Sequence, residues 1–379
     1  MSDLDLDEDV QDARDLLTEY FESENPRRFK FEKVIGVGAN GVAWRLIYKP
    51  RTPGGGPGRS QRLVMKMDRA HASGGLGEDG GAGQISNEGM YLSILQWAKH
   101  IVKLIQPPND PLSRQFEGIQ PHGIRQGEWI YIEWLENGTI GSFLDRAYEK
   151  DRQLPNRMLW SFFLCLIRIG IALAWPPAGP GNDGEPQTET IGPGPGRRIV
   201  HDDLHDENVM FGPFEPDSDG EHDLTPIIKA IDFGTAKEFP ADRSDFSHKG
   251  EPDNVFDFGV LMSGMATLDR SSALGLMPRT AGADYYYPGG GEMRILVAAT
   301  FMIPDRDPNN TLDPELRYLI MSCTAVRPED RPSLADLEDR VSHVLEERDE
   351  DWYILRNMNA RDESDDNIDD ILQELLLDA

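Results

Sequence analysis

Ile199-Val-His-Asp-Asp-Leu-His-Asp-Glu-Asn-Val-Met210, followed by Ala230-Ile-Asp-Phe-Gly234, decides how this chain is read. Asp203, Asn208 five residues on, and Asp232 form an ordered set of oxygen donors. A carboxylate carried on a loop can take a proton from an attacking hydroxyl. An amide oxygen and a carboxylate at the end of a hairpin can both turn toward a hard divalent cation. Taken singly, each Asp reads equally well as a turn residue or a cap, so the weight lies in the order and spacing of the set.

Upstream, residues 29–35 and 42–48 alternate as strands do, and Gly36-Val-Gly-Ala-Asn-Gly41 lies between them. Glycines there let backbone N–H groups lie close over phosphates. A dinucleotide-binding fingerprint needs a helix after its glycines; here a strand follows, which excludes it. A third strand at 62–67 ends in Leu-Val-Met-Lys66, and a helical pattern at 85–99 carries Glu88. A buried Lys needs a counter-charge, and Glu88 is the natural one; the competing reading is a surface Lys and a Glu on a solvated helix. Further strands are expected at 102–106, 118–125 and 129–134.

This ordered set, Gly36, Gly38 and Gly41, then Lys66, Glu88, Asp203, Asn208 and Asp232, resembles the eukaryotic protein kinases. It most resembles the divergent kinase-like proteins common in filamentous fungi. Two later segments carry the same resemblance: Asn254-Val-Phe-Asp-Phe-Gly-Val-Leu-Met262 is similar to the central helix of the family's second lobe, and Val326-Arg-Pro-Glu-Asp-Arg-Pro-Ser333 to the segment before its last helix. The resemblance runs from about Lys30 to Glu346. It implies an α+β, bilobal protein-kinase-like fold. Residues 30–137 would form a five-stranded N-lobe with one main helix, and 138–346 a mostly helical C-lobe. An acidic extension, 1–29, and an acidic tail, 347–379, would flank them.

The resemblance also implies ATP and Mg²⁺ as cofactors and assigns roles. Asp203 would be the catalytic base. Lys66, held by Glu88, would position phosphates under Gly36, Gly38 and Gly41. Asn208 and Asp232 would hold the metal. Ala43, Val64, Ile132 as gatekeeper, Glu133, Leu135 and Met210 would bind the nucleotide, while His201 and Phe233 match spine positions. His205 stands where the family has a Lys that neutralises the transferring phosphoryl group, a task it performs in full only when protonated.

Besides His205, the chain departs from the family in three places. Asp202 replaces the Arg that receives an activation-loop phosphate. The segment from Asp232 to Asn254 is short and has no evident Ala-Pro-Glu, which leaves Arg331 without its usual partner. Asn254 stands where Asp is usual, which predicts a weaker tie to the catalytic loop. The expected activity is transfer of the ATP γ-phosphate to a Ser/Thr hydroxyl of a protein substrate that the sequence does not specify. The alternatives are a pseudokinase-type nucleotide-binding scaffold and, from Asp203-Leu-His205, a small-molecule kinase.

The formal net charge of −29 argues against nucleic-acid and anionic membrane partners. Much of it sits in 1–9 and 346–378, expected as solvated tails; docking of a basic partner is the sharper alternative. Apolar residues at helical spacing in 368–377 suggest a helix packed on its own domain, or one offered to a partner. The two cysteines, Cys165 and Cys323, lack Cys-x-x-Cys spacing, which argues against a disulfide framework or a zinc site and fits a cytoplasmic or nuclear compartment. The apolar run 158–175 reads as a buried helix. Residues 176–198 read as a flexible Pro/Gly surface insertion, and 213–224 as an acidic hairpin tip. Helices are expected at 10–22, 142–149, 155–175, 254–268, 293–301, 314–324 and 333–347.

Overall fold

A computed structural model of the chain describes residues 8–23, 27–37, 41–51, 56, 58–68, 83–108, 110, 112, 129–214, 220–240, 249–270, 281–287, 291–302 and 311–377. Gly38, the expected strand at 118–125, residues 215–219 of the expected hairpin tip at 213–224, and residues 241–248 of the segment that follows Asp-Phe-Gly lie outside them. The architecture is α+β. The chain divides into two compact units: Met1–Gln96 with Val102–Trp134 and Phe233–Thr235, and Trp97–Ile101 with Leu135–Asp232 and Ala236–Ala379.

The first unit is built on an antiparallel sheet of β1 (Phe29–Val37), β2 (Gly41–Tyr48), β3 (Gln61–Asp68), β4 (Leu104–Ile105) and β5 (Trp129–Glu133), in the order β1-β2-β3-β5-β4. The period of two is plain in β2, where Val42, Trp44, Leu46 and Tyr48 are buried and their neighbours less so. With Leu63, Met65, Met67 and Tyr131 they form one apolar face. Helix α1 (Glu8–Ser23) covers that face with Val10, Leu17 and Phe21, and Phe21 stacks on Phe29 at 5.2 Å. The helix expected at 10–22 is thus present and completes the core of this unit. Helix α2 (Gln84–Ile94) also belongs to it.

The second unit centres on α4 (Asn156–Ala174), preceded by α3 (Ile140–Glu149). Helix α4 is long and apolar enough to cross a membrane, but its apolar window is 94% buried inside the unit. A helix apolar all round and enclosed by protein is a core helix. Short ladders β6 (Ile199–Val200) with β9 (Lys237–Glu238), and β7 (Val209–Phe211) with β8 (Ile228–Ala230), bracket the 201–208 loop. Helices α5 (Glu251–Thr267), α6 (Pro314–Cys323) and α7 (Leu334–Glu347) pack around α4 and each other. Two glycines permit the close crossings. A Cβ on Gly170 would come within 2.7 Å of Leu334 Cδ2 and 2.8 Å of Phe258 Cε2, and one on Gly259 within 2.8 Å of Cys323 Cβ.

Three expectations are corrected here. Residues 293–301 are not a helix: β11 (Gly291–Val297) pairs with β10 (Ala281–Tyr287) as a hairpin. A short apolar run cannot be told from a helix by period alone, and the β-forming Tyr285-Tyr286-Tyr287 supplies its partner. The 176–198 stretch is anchored rather than loose. Gln187 N donates to Trp97 O at 2.9 Å, Arg168 Nη1 donates to Glu189 O at 2.8 Å, and Glu189 is wholly buried. The C-terminal tail is folded as α8 (Glu350–Leu355), α9 (Asp365–Leu372) and a π turn, with Tyr353, Ile368, Ile371, Leu372 and Leu375 buried. The helix expected in the tail thus packs on its own unit, and its acidic residues ride on the outer face.

Candidate functional site

In the first unit, the ladder register aligns the expected residues on one face of the sheet. Ala43 pairs with Lys66, and Lys66 with Ile130; one step along, Arg45 pairs with Val64, and Val64 with Ile132. Directly opposed residues, and residues two apart on a strand, share a face. Ala43, Val64, Lys66 and Ile132 therefore lie on the face opposite the Trp44–Met65 core. The Lys66 ammonium donates to Glu88 Oε1 at 2.8 Å, with side chains 15% and 1% exposed respectively. This rejects the surface-residue reading of both. A carboxylate so buried stays ionised only beside a cation, so α2 is held to β3 by charge as well as by packing.

Gly36 sits at an irregularity in the β1–β2 ladder. A Cβ on Gly41 would lie 2.7 Å from Met67 O, so only glycine lets β2 start this close to β3. Glu133 ends β5, with its N–H given to Lys103 O at 3.0 Å and its Oε1 accepting from Lys103 N at 2.8 Å. Asn87, which the sequence reading did not single out, donates through Nδ2 to Gly234 O at 2.9 Å. It ties α2 to the Asp-Phe-Gly stretch, whose Phe233 is completely buried. Being adjacent to Glu88 was its only sequence signal.

In the second unit the 201–208 loop is fixed by its own polar groups. His201 is buried and its Nε2 meets Ile231 O at 2.9 Å, so that nitrogen carries the proton. Burial, the dominant influence, lowers its pKa and keeps the ring neutral. Asn254 on α5 accepts from His201 N at 3.2 Å and donates to Ile199 O at 2.8 Å. The expected weakening of this tie is not seen, because an amide gives and takes at once. Asn208 Nδ2 donates to Asp203 O at 2.9 Å and approaches Asp203 Oδ2 at 3.3 Å. With Nδ2 so engaged, Oδ1 has no partner among the described residues. Ile231 N donates to Asn208 O at 3.0 Å, which sets Asp232 beside Asn208.

Asp202 and Asp232 both hold left-handed backbone, with φ of 65° and 64°. Asp tolerates that region better than most residues, and such positions gather at functional sites. The Asp202 carboxylate is paired with Lys237 on β9. Asp203, about half exposed, has His205 Nε2 at 3.7 Å. His205 Nδ1 accepts from Glu207 N at 3.2 Å, and its Nε2 lies 3.1 Å from Asn208 Nδ2, so both ring nitrogens are engaged within the loop. Arg270, another residue missed in the sequence, clamps the loop. It pairs with Asp206, with Asp145 at 2.7 Å and with Glu207 at 2.8 Å, and these carboxylates outweigh its partial burial to raise its pKa. Met210 on β7 bridges to Thr139, and Leu135 is buried at the start of this unit.

Arg331 finds its partners in main chain and an aromatic ring: Nη1 donates to Pro252 O at 2.7 Å, Nε to Ala325 O at 2.9 Å, and the guanidinium lies 4.7 Å from the Phe256 ring centre. Asp257, one residue on, is pushed up to about 7 by burial and by Asp253, despite Arg331. Asp203, Asn208 and Asp232 are thus brought together in one unit, and Lys66, Glu88, Ala43, Val64 and Ile132 in the other. The Asn208 amide oxygen and the Asp232 carboxylate form a hard-oxygen donor set of the kind Mg²⁺ takes. No protein-family model matches the chain, and no curated protein matches it.

Proposed function

We propose that the chain is a protein-kinase-like phosphotransferase that moves the ATP γ-phosphoryl group to a Ser/Thr hydroxyl of a protein. In this reading the five-stranded unit is the N-lobe of a bilobal kinase-like fold and the helical unit its C-lobe. The observation that carries the reading is the Lys66–Glu88 ion pair at 2.8 Å, on the sheet face that also bears Ala43, Val64 and Ile132. A buried, paired Lys facing small and apolar residues suits the α- and β-phosphates of a nucleotide whose base lies on those residues.

Asn208 and Asp232 would hold Mg²⁺, which when bound neutralises phosphate charge. Asp203 orients the incoming hydroxyl and takes its proton. Its carboxylate is half exposed, and Asn208 holds its backbone through the 2.9 Å bond, so it can reach a substrate without moving the loop. Glu88 keeps Lys66 in place.

One observation favours a second reading, a nucleotide-binding scaffold. His205 stands at the family's Lys position, and its two ring nitrogens are engaged with Glu207 N and Asn208 Nδ2 within the loop rather than left for a phosphate. Incubation of the purified chain with Mg²⁺ and γ-labelled ATP, with a generic basic protein and beside Asp203→Ala, separates the two. Label transfer that falls about 10²–10⁴-fold in Asp203→Ala supports the enzyme. Nucleotide binding without transfer supports the scaffold, and equal turnover in the variant removes Asp203 as the base.

A further inference from the structure

His100, in the turn 97–101, Cys165, midway along α4, and His222, in the 220–225 segment, converge inside the second unit. One ligand-capable atom from each lies within 4.8 Å of the other two, and all three residues are buried. Cys165 Sγ is 4.0 Å from His222 Nδ1, and the two imidazole rings are 5.2 Å apart between centres. Glu189, wholly buried, accepts from His100 N at 2.8 Å and meets His100 Nδ1 at 2.7 Å. A carboxylate on one ring nitrogen fixes the tautomer and makes the other nitrogen the ligand, the arrangement common behind metal-bound histidines. That other nitrogen, His100 Nε2, is buried without a hydrogen-bond partner of good geometry among the described residues.

We propose that His100, Cys165 and His222 form a binding site for a zinc-class divalent ion, with Glu189 as the positioning residue for His100. A thiolate and two imidazoles favour such ions over Mg²⁺ or Ca²⁺, which take oxygen ligands. Around tetrahedral Zn²⁺, with bonds of about 2.0–2.3 Å, ligand atoms stand about 3.3–3.6 Å apart, so from separations within 4.8 Å the cluster needs to contract by about 1.5 Å at most. Three protein ligands leave one position for water. The site joins α4 to two segments with little regular structure of their own, so its role is to brace the unit. The proposal does not depend on the phosphotransferase reading.

The test is a titration of the full-length chain, stripped with chelator, with Co²⁺ and then Zn²⁺. The expected result is about one equivalent bound, with a thiolate-to-Co²⁺ charge-transfer band that Zn²⁺ displaces. The band persists in Cys323→Ser and is lost in Cys165→Ser. Glu189→Gln keeps the band but weakens affinity about 10–100-fold. Failure to bind at micromolar metal, binding without the band, or unchanged binding in Cys165→Ser overturns the site. Should Cys165→Ser not fold, Cys323→Ser decides alone: the chain has two cysteines, so a band there comes from Cys165 and its absence refutes the proposal.

Discussion

Replacing Glu363 with Ala tests whether the C-terminal stretch is part of the fold or an appendage. Helix α4 starts after Pro155, which offers no side-chain cap, so its first N–H groups need another acceptor. Glu363, more than two hundred residues later, supplies it: Oε1 accepts from Asn156 N at 3.0 Å and from Asn156 Nδ2 at 2.8 Å, and Oε2 accepts from Arg157 N at 3.0 Å. The carboxylate is completely buried. Loss of a helix cap costs about 0.5–2 kcal/mol, and each buried donor left bare costs about 1–3 kcal/mol. Relief of the buried charge, and water entering the space left behind, return part of this. The net expectation is a loss of about 2–4 kcal/mol, read as a lower urea midpoint for the far-ultraviolet circular dichroism transition. Glu363→Gln retains one acceptor oxygen but turns an NH₂ toward Arg157 N, so about half the loss is expected. A change below about 0.5 kcal/mol in the Ala variant would falsify the capping argument, as would a Gln variant less stable than the Ala variant.

Gly170→Ala should destabilise the protein by about 1–3 kcal/mol, because the new methyl group meets Leu334 and Phe258 below contact distance; a thermal midpoint equal to wild type would show that the α4 crossing is looser than described. Asp257 has a folded pKa raised from 3.8 to about 7, so the folded state binds the extra proton. Its stability contribution is complete below the unfolded value and is lost as pH rises through about 7. Asp257→Asn should therefore be more stable than wild type near pH 8, by about 1–3 kcal/mol, with the gap closing toward about pH 4; parallel stability curves across that range would refute the assignment. Loss of phosphoryl transfer in Asp203→Ala, with circular dichroism unchanged, remains the direct test of function.

What could be read in the sequence follows from what leaves a local trace. Strands β1 to β3 show in the alternation of residues 29–67, and α4 shows in an apolar run that few other structures can hold. Lys66 and Glu88 were legible because a strand-borne Lys and a helix-borne Glu have few other ways to be buried together. The misses share a cause. Glu189, Glu363, Arg270 and Asn87 are single polar residues that anchor distant chain, and nothing periodic marks them. A stretch as rich in Pro and Gly as 176–198 looks loose until Glu189 is seen against His100. In the acidic tail the helical spacing of Ile368, Ile371 and Leu375 is legible, whereas Tyr353, a lone buried aromatic among charges, is not. The convergence of His100, Cys165 and His222 spans more than a hundred residues, beyond any spacing rule for metal ligands.

The acids of the 201–208 loop are not interchangeable, and the reason is their cations. Asp202 is held by Lys237, and Asp206 and Glu207 by Arg270, which also takes Asp145 at 2.7 Å. Asp203 has no Lys or Arg within 4 Å among the described residues; its carboxylate has the Asn208 amide at 3.3 Å and the His205 ring at 3.7 Å. On the proposed phosphotransferase reading it is the acid of this loop left to serve as the base, and its side chain is about half exposed. The same pattern separates chemistry from scaffolding. Removing Asp206 takes away one of the two loop carboxylates that Arg270 holds, so lost turnover there would report a loosened loop. Removing Asp203 strips only a carboxylate, because its backbone carbonyl still takes the Asn208 bond, so lost turnover in that variant reports the proton transfer itself.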